Sequence, residues 1–177
     1  MGLGRRAAAL AVAAAAASLT GCSSGGSTRA GLTCPAVIQA PNADTIAFFR
    51  PGGHDAKDVL SAAKFYSISS TCAREKGGVV INASIQFYAQ RVYAETKSVT
   101  LPYFVAVVDP AQNVKGENAF QLNLAFTGAD YFRESQPEKI TIHLPMADDQ
   151  QASGFTVVVG FQLTPDQMAF NRSTHPE

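Results

Sequence analysis

The stretch "VVINASIQFYAQ", residues 79 to 90, alternates without a break. Val79, Ile81, Ala83, Ile85, Phe87 and Ala89 fall on one side, and Asn82, Ser84, Gln86, Tyr88 and Gln90 on the other. Successive side chains of an extended chain point to opposite faces, so this segment reads as a strand with a core face and a wet face. The pattern recurs downstream: Phe120, Leu122, Leu124 and Phe126 share a side in "AFQLNLAF", as do Ile140, Ile142 and Leu144 in "ITIHL", and Phe155, Val157, Val159, Phe161 and Leu163 in "GFTVVVGFQL". "LPYFVAVVDP", residues 101 to 110, is apolar on both faces, as a central strand requires, with Pro102 expected at its start and Asp109-Pro110 at its end. "AQNVKGEN" reads as the turn that follows.

Working back from residue 79, "AREKGG" separates two strand-like runs, and Gly77 and Gly78 are expected to supply the positive backbone angles of a tight hairpin. Only "LTPDQMAFNR", residues 163 to 172, breaks the pattern. Thr164, Pro165 and Gln167 fit a capping box at the start of a short helix, with Met168 expected to pack back on a sheet. Five to seven short strands between residues 34 and 172 favour one all-β domain, an antiparallel β-sandwich of immunoglobulin or fibronectin type with a short C-terminal helix. A small closed barrel is the competing architecture.

Upstream of this domain the composition changes. Arg5 and Arg6 precede an uncharged apolar run, Ala7 to Leu19, which is shorter than the roughly 20 residues of a spanning helix and has the layout of a signal segment over residues 1 to 21. Leu19-Thr20-Gly21-Cys22 resembles the lipobox of bacterial lipoproteins. That resemblance implies lipidation of Cys22, cleavage before it, and a membrane anchor held by two or three acyl chains, which is stable where a single chain is marginal. Ser23 at the next position resembles the pattern sorted to the outer membrane, so the expected location is the periplasm, at the inner leaflet of that membrane. "SSGGSTRAG" then has the composition of a flexible tether, and residues 23 to 33 reach roughly 15 to 20 Å. Residues 173 to 177 read as a loose tail.

Two cysteines remain, Cys34 and Cys72, an even count in a chain sent to an oxidising compartment, and they are expected to pair. Their spacing suits neither a thioredoxin-like site nor a structural zinc site. Without the leader the chain carries twelve Lys and Arg against fourteen Asp and Glu. A near-neutral chain with no basic cluster lacks the footprint of a nucleic-acid binder, so no nucleic-acid partner is expected, and membrane contact falls to the lipid.

No catalytic residues are assigned: there is no Gly-x-Ser-x-Gly elbow, no Ser-x-x-Lys and no free activated cysteine. Nor is a metal or cofactor. His54, His143 and His175 are far apart in sequence, and "GGHDAKD" and "ADDQQASG" read as solvated loops. The binding candidates are Tyr131 and Phe132, aromatic residues in the polar connection "GADYFRESQPE", with Phe132 expected to plug the underside of its own loop, and the outward row containing Asn82, Gln86 and Tyr88.

Cys34-Pro35, the strand "PYFVAVVDP" with its turn "QNV", and the ending "GFQLTPDQMAFNR" together resemble a family of uncharacterised proteobacterial lipoproteins. The resemblance implies a small lipid-anchored β-domain and no particular activity. The leading expectation is a non-enzymatic module that serves envelope assembly or maintenance by contacting another envelope protein. A glycan- or peptidoglycan-binding module is the alternative, and a hydrolase the third. An unprotected sheet edge would favour the first and an exposed aromatic cluster the second.

Overall fold

A computed structural model describes residues 32–147 and 151–174. The leader, Cys22, His175 and residues 148–150 lie outside the described residues. The elements are β1 (Ala36–Gln39), β2 (Thr45–Phe49), β3 (Val59–Glu75), β4 (Gly78–Arg91), β5 (Ser98–Val108), β6 (Val114–Ala125), β7 (Phe132–Glu134), β8 (Glu138–Pro145), β9 (Thr156–Phe161) and α1 (Pro165–Thr174). They form two sheets, one in the order β1-β9-β5-β6, the other β2-β3-β4 with β7 and β8 end to end along the far side of β4.

The sheets pack face to face, as the alternation requires. Val79, Ile81, Ala83, Ile85, Phe87 and Ala89 are all buried, and they meet Val105, Val157, Val159 and Phe161 of the opposite sheet in one core. Rings lie at its centre: Phe65 stacks on Phe161 with centroids 4.5 Å apart, and Phe87 lies 4.9 Å from Tyr103. The domain is thus an all-β sandwich with one short helix. β4 and β8 are neighbours, as are β9, β5 and β6, which is the B–E and F–C–C′ adjacency of immunoglobulin domains. The edges differ, because β1 joins β9 in parallel.

Several local expectations are corrected. Nine strands are present among the described residues. β5 begins at Ser98, so Pro102 lies inside it; its carbonyl accepts from Gln162 just past β9, so its missing donor falls where that ladder ends. The turn after β5 closes by residue 113, because the Asp109 carboxylate accepts from the Ala111 and Asn113 amides, and β6 starts at Val114. These bonds hold the Asp109 carboxyl below its ordinary value, the Asn113 amide foremost. Of the hairpin glycines only Gly77 has a positive φ, +86°; Gly78 is needed for a different reason, since a Cβ there would meet the Leu144 carbonyl.

β3 contains a bulge. Phe65 faces Phe87 but Ser67 faces Gln86, so Tyr66 is the extra residue and the inward positions pass from odd to even numbers. That shift turns Cys72 toward the interior. Cys34 and Cys72 form a disulfide, with Cα atoms 5.7 Å apart. It joins the lead-in to β1, at the edge of one sheet, to β3 in the other.

α1 sits against β2 through polar residues. The capping box is present: the Thr164 amide donates to Gln167 Oε1 at 2.9 Å, and the Gln167 amide to Thr164 Oγ1 at 3.3 Å. Met168, however, is only half-buried. The buried residues are Gln167 and Asn171, one turn apart on one face. Gln167 donates to the Ala47 carbonyl at 2.7 Å, and Asn171 to those of Thr45 and Asn42 at 2.9 Å each. Phe170 adds an edge-on contact to Phe49.

Candidate functional site: an aromatic end and a polar face

The alternation that begins at Val79 takes one further step, to Arg91. This residue points inward at the end of β4 and is 1% exposed. Its partners are carbonyl oxygens. Nη1 donates to Ala94 and Thr96 at 3.0 Å, and Nη2 to Gly128 at 2.8 Å. The guanidinium also lies over two rings, 5.2 Å from Phe126 and 5.4 Å from Tyr131. Planar guanidinium groups suit this combination of forked donation and ring stacking. Arg91 therefore ties the β4–β5 and β6–β7 connections together, with its own amide donating to the Tyr131 carbonyl.

Around this tie, large apolar groups face solvent: Tyr131 at 46%, Phe132 at 55%, and Val92 and Tyr93, the two residues that follow Arg91 in sequence. The expectation that Phe132 plugs the underside of its loop is overturned. β7 pairs with β4, placing Phe132 opposite Gln90 on the outer face, where its ring stacks on Tyr88 at 5.8 Å. Lys64, from β3, lies over the Tyr88 ring of this stack, with Nζ 5.6 Å from the ring centroid. Pairing across β2, β3, β4 and β7, which lie side by side here, thus brings three of the sequence candidates, Tyr88, Tyr131 and Phe132, to one end of the sandwich.

Asn82 and Gln86 lie farther along the same outer face. Their side chains are linked across strands: Thr141 Oγ1 donates to Asn82 Oδ1 at 3.0 Å, Lys139 Nζ to Ser84 Oγ at 2.9 Å, and Ser67 Oγ to Gln86 Oε1 at 2.9 Å. Buried Ser135 bridges the break between β7 and β8: its hydroxyl accepts from the Phe87 amide and donates to the Gln136 carbonyl. From Asn82 to Gln90 this face spans about 26 Å at 3.3 Å per residue. It is a shallow strip of hydroxyls and amides that ends on aromatic rings.

Other candidates do not assemble into chemistry. No three His, Cys, Asp or Glu residues come together among the described residues. His54 contacts Asp166 and His143 contacts Glu75, at opposite ends and on exposed surface. No helix among the described residues is long and apolar enough to cross a membrane. No protein-family model matches the chain, nor does any curated protein or solved structure. Function must therefore be argued from the surface itself.

Proposed function

We propose that the protein is a lipid-anchored, non-enzymatic module of the bacterial envelope, held at the membrane through Cys22, that docks another envelope protein with its aromatic end. The observation that carries this reading is the exposed group Tyr131, Phe132 and Tyr93 built on the buried Arg91 tie. Aromatic residues dominate protein interfaces, and a loop already fixed in place loses little freedom on binding. The placement suits an anchored protein. Cys34 enters beside Cys72, which faces Ile81 near one end of β4, while Arg91 lies ten residues farther on, about 33 Å away. With the tether at one end, the aromatic end faces away from the membrane.

A photo-crosslinking residue at position 132 in the native envelope tests the idea. Reproducible capture of one envelope protein from position 132, absent from position 76 and lost on Arg91→Ala, is the expected result. Equal capture from both positions overturns the docking role, and retention of Cys22→Ala in the membrane fraction overturns the anchor. A second reading, glycan or peptidoglycan binding, is favoured by the linked hydroxyls and amides that run up to the Tyr88–Phe132 stack. Co-sedimentation with sacculi, abolished by Tyr88→Ala, would select it.

A further inference from the structure

The strand edges of the two sheets are treated differently. β1 is four residues long. β2 has its carbonyls occupied by the Gln167 and Asn171 amides. β3, where β2 stops short, carries the disulfide to the amino-terminal lead-in. The edge beyond β4 is stepped, three residues of β7 and eight of β8, with Pro137 in the break. The remainder of β3, Phe65 to Glu75, is also paired on one side only, but it carries the bulge at Tyr66 and ends on Arg74 and Glu75. β6 is long too, with one bulge at Lys115 and an unbroken register from Gly116 to Ala125. It runs twelve residues, pairs only with β5 among the described residues, and has no charged residue from Asn118 to Ala125.

A long uncharged edge offers unpaired amides and carbonyls to an incoming strand. The side chains select which strand. Phe120 and Leu122 face the core but are only half-buried, because the sheet ends at β6. Let two β6 strands pair antiparallel about a two-fold axis at Gln121. Phe120 then faces Leu122 of the second copy, Leu122 faces its Phe120, and Ala119 faces Asn123. Gln121 faces its own counterpart. Apolar side chains continue both core faces, the amides meet on the outer face, and Glu117 falls opposite Ala125, away from any like charge. Such self-complementarity is what a closed two-fold interface demands.

We infer that β6 is a self-association edge, through which two copies of the chain join their four-stranded sheets into one of eight strands. This surface lies on a different strand from the aromatic docking end and stands independently of that reading. Oxidation of full-length Gln121→Cys protein, purified in detergent, tests the register. Directly opposed residues in an antiparallel pair have Cα atoms about 4.5 to 5.5 Å apart, within disulfide reach. The expected result is an intermolecular bond at residue 121. A mixture of Ala119→Cys and Asn123→Cys should form the mixed dimer, whereas neither should link to itself, because residues offset by four positions lie about 13 Å apart. Gln121→Lys, at an exposed position, should weaken sedimentation-measured dimerisation about fivefold while leaving the circular dichroism unchanged. A monomer at every concentration measured, a dimer indifferent to Gln121→Lys, or capture of a different protein from position 121 in the envelope would each overturn the inference.

Discussion

Arg91 sits seventh in the inward row that begins at Val79, where six apolar residues precede it. It is the residue on which the candidate site depends, and its signal lay in the plain alternation, carried two positions past Ala89. What the sequence could not supply was the identity of its partners, since carbonyls from residues 94, 96 and 128 leave no trace in residue type. Arg91→Ala removes those bonds and opens a space among buried rings, so a loss of about 3 kcal/mol in urea unfolding is expected. Arg91→Lys should recover only part of it, because an ammonium lacks the planar fork. Tyr103 makes a second prediction at this scale. Burial, and then the charge of Glu138, push its phenol up to about 12 from its ordinary value near 10. The folded state therefore favours the protonated ring. The stabilisation is complete below about pH 10 and is lost as pH rises from there through 12. Tyr103→Phe should flatten that alkaline fall, as measured by denaturation at each pH.

At the scale of elements, strand identity followed from period two wherever the ladder is regular, as in β4, β8 and β9. It failed to follow where the backbone departs from a plain ladder. An unbroken alternation in β3 from Ala63 and Phe65 would put Cys72 on the outer face, and only the bulge at Tyr66 turns it inward. Phe132 was misplaced for a related reason: a three-residue strand is too short to show a period, and its pairing with β4 puts the ring outside. The helix was legible from its cap, but not its contact face. Apolar content pointed to Met168, whereas the edge of β2 needed donors and received them from Gln167 and Asn171. Gln167→Ala removes both the tie to Ala47 and the acceptor for the Thr164 amide. It should cost about 1 to 2 kcal/mol in thermal or urea unfolding, and Gln167→Met, though closely matched in volume, should not restore it.

For the whole molecule, the two-sheet architecture was readable from repeated one-sided strands, while the neighbour order was not, because pairing joins residues far apart in sequence: β4 and β8 meet through Ile81 and Ile142. The disulfide was legible from counting cysteines, and its place between the sheets was not. Cys72→Ser should lower stability by about 4 kcal/mol, given that the closed loop spans 38 residues. Equal stability of the oxidised and reduced chain in denaturant would refute that.

The same bond decides how the domain bears load. Under the proposed anchoring at Cys22, a pull from the membrane would enter the domain at Cys34 and pass across sulfur into β3, bypassing the short β1, which could otherwise peel from β9 one residue at a time. If the opposing grip is at the aromatic end, near Arg91, the force runs lengthwise along β3 and β4. Their fourteen paired positions then resist sliding together. The cross-link converts a seam that would tear into a joint that must shear.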